Sequence, residues 1–216
     1  MLAFDLGSAL RSLKPQRRAG GLERRPDSAL SWAGDQAPVG GALLLDTSVY
    51  LDVLQGRTPK VVDDLLTYRL CQHSAVCLTE LSHLFGRLDP AHPTTKSVLK
   101  VVAGTIEDIP VHRLHAPDAT AWGRAGMLAC LLFRLSRLPK GEGHERRFLD
   151  DALIFHQAGL LGATVLTGNV RDFDYLNQLV PSVGVIFYRP VTDLAPAGLK
   201  ASVADMPVHR VRPTLL

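Results

Sequence analysis

The chain has 216 residues, of which 46% are hydrophobic and 21% charged, and its formal net charge is +3. This composition is ordinary for one globular domain with a real core, and the mild basicity permits a polyanionic partner without arguing for one. No apolar run approaches the roughly 18 residues of a membrane span, and the start lacks a secretory signal, so we expect a cytoplasmic protein with no membrane partner.

Residues 1–41 are predicted to form a basic, flexible N-terminal extension. Their basic side chains are separated by Gly, Pro and Ser, and only residues 2–13 fit a short helix. Such an arm could contact RNA phosphates, although a solvated extension is the commoner role of this composition. The basic residues are Arg11, Lys14, Arg17, Arg18, Arg24 and Arg25.

From residue 42 onward, short apolar runs alternate with helical periodicity. Continuous apolar runs predict buried strands, and apolar residues three or four positions apart predict helices. The predicted strands lie at 42–45, 74–79, 109–114, 163–167 and 183–188, and the predicted helices at 47–56, 59–70, 80–88, 94–106, 117–138, 147–161 and 172–179. This alternation predicts an α/β domain over residues 42–190, built as an α/β/α sandwich around a mainly parallel central sheet. We expect a loop at 139–146 and a C-terminal surface tail at 191–216.

Acidic side chains follow three of the predicted strands at the point where each strand ends. In open parallel sheets, ligands bind beyond these carboxyl ends, so we expect the acids to share one edge of the sheet. Asp46 follows the first strand, Glu80 follows the second, and the turn after the fourth carries Asn169, Asp172 and Asp174. Each acid alone also fits a local role, because carboxylates favour helix N-caps and first turns.

A further carboxylate comes from the start of the helix predicted at 147–161. Asp151 shares an apolar stripe with Phe148 and Phe155, while Asp150 points about 100° away at the helix period. A second apolar flank on the same helix leaves open which of the two aspartates turns inward.

The convergence of these acids predicts a metal site. Carboxylates that meet without a cation repel one another, and some of them must take up protons. A hard divalent ion removes this cost, and Mg²⁺ or Mn²⁺ suits carboxylate and water ligands.

Four stretches of the sequence resemble PIN-domain nucleases, and specifically the VapC toxins of bacterial type II toxin–antitoxin pairs. They are LLLDTSVYLDVL (43–54), LTELSHLFGR (78–87), DDALIFHQAGLLGATVLTGNVRDF (150–173) and VGVIFY (183–188). Their order is that of the family: an aspartate with Thr and Ser ends the first strand, a glutamate opens a helix, and a D-A-x-I helix precedes a strand ending in T-x-N-x-x-D-F. The resemblance implies a PIN-like fold over about 42–190, while the segments on either side depart from the short family pattern.

The resemblance implies a catalytic quartet of Asp46, Glu80, Asp151 and Asp172. The D-A dipeptide favours Asp151 over Asp150. The three aspartates of the quartet are the implied ligands of Mg²⁺ or Mn²⁺, and Glu80 is implied to position the attacking water. Whether one or two metal ions bind stays open.

Polar and basic residues near the quartet are implied to support it. Asn169 matches the polar position of the last turn, and Asp174 lies beyond the motif. Hydroxyl groups of the family pattern fall on Thr47, Ser48 and Thr167. Three arginines near strand ends or the site turn are candidates for contact with RNA phosphates, although a solvated surface position is commoner for arginine. They are Arg57, Arg87 and Arg171.

The function implied by the resemblance is a metal-dependent endoribonuclease that hydrolyses phosphodiester bonds in RNA and acts as the toxin of a toxin–antitoxin pair. The implied partners are an RNA substrate, a cognate antitoxin and a second copy of the chain in a homodimer. Two alternatives stay open: a housekeeping PIN nuclease without an antitoxin, and a catalytically silent RNA- or protein-binding module.

Overall fold

A computed structural model describes residues 4–137 and 147–192 in full and residues 144–146 by their backbone. The strands are β1 (Leu43–Leu45), β2 (Cys71–Ser74), β3 (Leu114–His115), β4 (Thr164–Thr167) and β5 (Val185–Phe187). The helices are α1 (Leu6–Leu13), α2 (Thr47–Leu54), α3 (Lys60–Tyr68), α4 (Ala75–Arg87), α5 (Thr95–Glu107), α6 (Ala119–Ser136), α7 (His144–Leu161) and α8 (Val170–Leu179). Short 3₁₀ turns lie at Pro15–Arg17, Asp27–Ala29, Ala33–Asp35 and Val111–Arg113.

The five strands form one parallel sheet in the order β3-β2-β1-β4-β5. The central strand β1 is three consecutive buried leucines, which is typical of a parallel strand that is covered on both faces. It pairs with β4 in a register that places Leu45 beside Leu166, so the two strands end together. The predicted α/β class with a parallel central sheet and flanking helices is therefore confirmed.

The predicted helices are present with shifts of a few residues at their ends. The same holds for three predicted strands, those at 42–45, 163–167 and 183–188. The predicted loop at 139–146 is wrong where it can be compared, because 144–146 already belong to α7. The rest of that loop, and the predicted tail apart from residues 191 and 192, lie outside the described residues.

The prediction of a strand at 74–79 is wrong, because residues 75–79 are the first turns of α4. Ser74 caps this helix by accepting a hydrogen bond from the backbone N–H of Val76 (3.1 Å). The buried residues Val76, Cys77 and Leu81 have helical spacing that continues into the rest of α4. The strand lies one step earlier, in Cys71–Ser74, where polar residues hid it from a search for apolar runs.

The prediction of a strand at 109–114 is also largely wrong. Pro110 cannot donate a hydrogen bond to a neighbouring strand, and Val111 is 89% exposed. Residues 111–113 therefore form a 3₁₀ turn, and only Leu114–His115 pairs with β2 at the edge of the sheet.

The N-terminal segment, residues 4–41, packs along the domain, which differs from the detached arm that its composition suggested. The guanidinium of Arg124 on α6 donates to the Ser8 hydroxyl (3.0 Å). Farther along, the backbone N–H of Phe187 in β5 donates to the Ser31 carbonyl (2.9 Å), and Trp32 forms a parallel bridge with Phe187. The segment therefore covers the free edge of β5, where unpaired backbone groups would otherwise face solvent.

Helix α7 lies at the centre of the helical packing, in contact with α4, α6, α8, β1 and β4. Its side chains are buried on several faces, as Phe148, Leu153 and Phe155 show. This explains why apolar periodicity alone gave two flanks for the helix. No helix in the described part of the chain combines the length and the apolar character needed to cross a membrane.

Candidate active site

The carboxyl ends of β1 and β4 bring the first acid and the last strand's hydroxyl into contact. Asp46 follows β1, and Thr167 is the last residue of β4. The Thr167 hydroxyl donates to Oδ2 of Asp46 (2.8 Å), because the parallel register ends both strands at the same level. The candidate site therefore begins at the carboxyl ends of the two central strands.

Asp46 is a buried carboxylate that is held by neutral donors. It is the N-cap of α2, and the Ser48 hydroxyl donates to the same oxygen as Thr167 does (2.5 Å). Ser48 in turn accepts from the backbone N–H of Gly168 (2.9 Å), which ties α2 to the turn after β4. Burial raises the pKa of Asp46, and these hydrogen bonds offset the shift only in part.

Asp151 and Asp172 meet across the amide of Asn169. The Asn169 Nδ2 atom donates to Oδ2 of Asp151 and to Oδ2 of Asp172, both at 3.2 Å. Asp151 is 8% exposed and Asp172 fully buried. Burial raises the pKa of Asp151 well above its usual range, and the charges of Asp46 and Asp172 raise it further. Of the two adjacent aspartates in α7, Asp151 is therefore the one that turns inward.

Glu80 reaches the same site from a helix, and not from a strand end as expected. It lies in the second turn of α4, where its carboxylate accepts a hydrogen bond from the Thr47 hydroxyl. Burial raises the pKa of Glu80, and the charges of Asp46 and Asp150 add to the effect. Glu80 thus lies near Asp46, although the strand that was expected to end just before Glu80 is the start of a helix.

The four acids of the predicted quartet thus share one neighbourhood, but they do not form a finished metal cage. Among the described residues, no three His, Cys, Asp or Glu side chains are grouped so as to hold a metal ion. The donor chemistry nevertheless fits Mg²⁺ or Mn²⁺, because the site offers carboxylate oxygens whose pKa values are raised, by burial at Asp46 and by burial and neighbouring carboxylates at Glu80 and Asp151. An amide, hydroxyls and arginines satisfy these oxygens in the structure.

The predicted phosphate-binding arginines have different surroundings. Arg57 binds the buried carboxylate of Asp52 through Nη2 (2.7 Å) and Nε (3.1 Å). Arg171 donates from Nε to Oδ1 of Asp172 (3.0 Å). Arg87 is exposed at the end of α4. Arg171 is therefore the one of the three that contacts the quartet.

Asp174 lies outside the site, although it is fully buried. Its carboxylate accepts from Nε of Arg25 (2.5 Å) and from the Arg25 backbone N–H (2.9 Å). The helical period turns Asp174 away from Asp172 and toward the N-terminal segment. Its role in the structure is to hold that segment.

Two features at or beside the site have no counterpart among the residues predicted from the sequence. The first is Asp52, buried and bonded to the Tyr188 hydroxyl (2.8 Å) beneath the turn at Gly168; its spacing of four residues from Ser48 was the available signal. Gly168 is tightly enclosed, since a Cβ there would lie 3.2 Å from the Tyr188 ring. The second is Arg147, four residues before Asp151 on α7, which pairs with Asp172 (2.9 Å).

No family model and no curated protein match the chain. Among solved structures, it is similar to VapBC2 from Rickettsia felis bound to a DNA fragment from the promoter, with 16% identity over 68% of this chain and 98% of that chain and a TM-score of 0.46. It is also similar to DNA-bound VapBC from Salmonella typhimurium, with 23% identity over 68% of this chain and 98% of that chain and a TM-score of 0.47.

Proposed function

We propose that the protein is a metal-dependent endoribonuclease of the PIN-domain, VapC-like kind. The observation that carries this proposal is the set of acids Asp46, Glu80 and Asp151. Within the described ranges, none of them forms an ion pair with Lys, Arg or His, although burial raises the pKa of all three. The charges of Arg147 and His83 offset only part of the rise in pKa for Asp151 and Glu80, respectively. Acids at least partly buried, with hydrogen bonds from neutral donors only, are costly for a fold and useful as ligands of a cation.

In this proposal, some side chains hold the cation and others orient water. Asp46 and Asp151 would hold the cation, with Asp172 and Asn169 completing or extending its shell. A bound Mg²⁺ or Mn²⁺ supplies polarisation of the scissile phosphate and acidification of water. Ser48 and Thr167 fix the orientation of Asp46 through their hydroxyls.

Glu80 is suited to orient the attacking water and to accept its proton. The Thr47 hydroxyl holds the carboxylate, and burial raises its pKa toward the range in which a general base works efficiently. Because Thr47 directly follows Asp46 in the chain, its hydroxyl links Glu80 to the first acid.

The proposed substrate is RNA, and the proposed partners are a cognate antitoxin and a second copy of the chain. This part of the proposal rests on the motif resemblance of residues 43–54, 78–87 and 150–173. Arg171 lies at the acids and is the best placed of the three candidate arginines to meet a phosphate.

The test is cleavage of a fluorophore-quenched single-stranded RNA by the purified protein with Mg²⁺, with Mn²⁺ and with EDTA. We expect cleavage that requires the metal and is lost in Asp46→Asn, which keeps the shape and the acceptor of the side chain. Asp64→Asn, at a partly exposed position on α3 that pairs with Lys60, is the matched control and should cleave like the wild type.

Metal-independent cleavage, or equal cleavage by Asp46→Asn and the wild type, would show the proposal to be wrong. Absence of both cleavage and Mn²⁺ binding would favour a silent binding module.

A further inference from the structure

Asp172 already has two cationic partners in its own chain. Arg147 on α7 donates from Nη2 to Oδ2 (2.9 Å), and Arg171 on α8 donates from Nε to Oδ1 (3.0 Å). The carboxylate is fully buried, whereas 57% of the Arg147 side chain and 46% of the Arg171 side chain are exposed. The two guanidinium groups therefore lie between Asp172 and solvent.

The same oxygen of Asp172 faces Asp151. Oδ2 accepts from Arg147 and also from Asn169 Nδ2 (3.2 Å), whose amide spans to Asp151 (3.2 Å). These two donors occupy the two lone pairs of a carboxylate oxygen. A cation that binds this oxygen between Asp151 and Asp172 therefore competes with Arg147, and one that binds Oδ1 meets Arg171.

We propose that Arg147 and Arg171 together form an internal counter-ion for Asp172. A divalent cation that binds at Asp172 displaces the two guanidinium groups, which are then free to contact a substrate phosphate. The inference deepens the proposed nuclease function and rests on it. A guanidinium has the planar fork that matches a phosphate as well as a carboxylate, so one group can exchange between the two.

The exchange couples the two ligands of the site. Without a cation, the arginines neutralise Asp172 and are withheld from the RNA. With a cation, they are released beside the acids, where the scissile phosphate must lie. Because binding coupling is reciprocal, RNA that holds the arginines must also strengthen cation binding.

The experiment measures Mn²⁺ binding by the paramagnetic resonance signal of free Mn²⁺, without RNA, at about 0.15 M salt to screen distant charges. The proteins are the wild type, Arg147→Gln, Arg171→Gln, the double variant and Arg87→Gln. Arg87 is an exposed arginine on another helix, so its variant controls for the loss of one positive charge. We expect the double variant to bind Mn²⁺ at least about fivefold more tightly than the wild type, and Arg87→Gln to bind it like the wild type.

Cleavage kinetics at saturating Mn²⁺ test the second half of the proposal. We expect the KM for RNA to rise at least about fivefold in the double variant while kcat stays within about threefold, because the arginines bind a phosphate and do not perform the proton transfers. Tighter Mn²⁺ binding with an unchanged KM would overturn the contact with phosphate.

Equal Mn²⁺ affinity in the wild type and the double variant would overturn the counter-ion role while leaving the nuclease proposal intact. A wild type that neither binds Mn²⁺ nor cleaves would remove the nuclease proposal, and this inference with it.

The double variant leaves Asp172 buried without a cation, which threatens its fold. Thermal unfolding therefore accompanies the titration. In EDTA the double variant should melt below the wild type, and saturating Mn²⁺ should raise its Tm by more than that of the wild type. A metal-induced rise in Tm no larger than that of the wild type contradicts the proposal. If the double variant fails to fold, the same measurements on the single variants, which each keep one arginine, provide the test.

Discussion

Two groups of buried carboxylates differ in what neutralises them. On the side of the N-terminal segment, Asp174 is paired with Arg25, and beneath the Gly168 turn Asp52 is paired with Arg57. At the carboxyl edge of the sheet, Asp46 and Asp151 have only hydroxyl and amide donors.

The difference teaches that burial alone does not distinguish these acids, whereas the kind of donor that holds them does. An ion-paired buried acid organises the fold, as Asp174 does for the N-terminal segment. An acid held only by neutral donors is the kind that the proposed function assigns to a cation. Asp172, two residues from Asp174, lies between these cases, since it has arginine partners and also shares the Asn169 amide with Asp151.

The largest expected effect separates the two adjacent aspartates of α7. Asp151→Asn should lower kcat/KM for RNA at least about 100-fold, because it removes a proposed ligand of the cation. Asp150→Asn should stay within about threefold of the wild type. Steady-state cleavage with Mg²⁺ checks both, and a larger loss in Asp150→Asn would reverse the assignment.

The second largest effect is expected from removing the arginine partner of a buried carboxylate. Arg25→Gln should lower the free energy of unfolding by about 1.5–3 kcal/mol, since Asp174 loses a charge-assisted hydrogen bond and keeps only neutral donors. By contrast, Asp46→Asn at pH 8 in EDTA should leave stability equal to or above that of the wild type. Urea unfolding measures both variants, and equal destabilisation by the two would erase the distinction.

The third effect is a pH dependence with a defined sign. Burial and neighbouring charges raise the pKa of Asp151, so between its ordinary value and the raised value the folded state binds more protons than the unfolded state. In EDTA this carboxyl therefore lowers the stability of the wild type as pH rises above about 4, by at most about 1.4 kcal/mol per pH unit.

The stability difference between the wild type and Asp151→Asn isolates this contribution. The comparison matters because burial lowers the pKa of His73 to about 4, so His73 contributes a change of opposite sign, with stability rising from pH 4 to its ordinary pKa of 6.5. A difference that grows in favour of the wild type as pH rises would contradict the prediction.

The smallest expected effect concerns Asp52, the other buried carboxylate that has an arginine partner. Tyr188→Phe removes one hydrogen bond from Asp52, whose other oxygen keeps Arg57. We expect a loss of about 1 kcal/mol in unfolding free energy and a change in cleavage of less than about threefold. A cleavage defect as large as that of Asp151→Asn would place Tyr188 within the reacting site.

Local pattern was enough for much of the fold and for the neighbourhood of the site. Three consecutive leucines followed by Asp-Thr-Ser specify a buried strand and a capped helix by local chemistry alone. The class of fold then followed from the alternation of strands and helices, and the positions of Asp46 and of the turn at 168–172 after strand ends predicted that they share one edge. The strand β2 escaped this method because Gln72, His73 and Ser74 interrupt its apolar character.

Tertiary structure decided what the pattern left open. Asp150 and Asp151 are adjacent, and periodicity did not distinguish them; the motif resemblance favoured Asp151, and the packing of α7 against the sheet and α6 buries it. The composition of residues 1–41 suggested a detached arm, but Arg25 binds Asp174, which lies 149 positions away in the chain. Likewise, Arg147 meets Asp172 from another helix. Such pairings depend on which side chains the fold brings within a few ångströms, and charge compensation, unlike periodicity, has no local signal in the sequence.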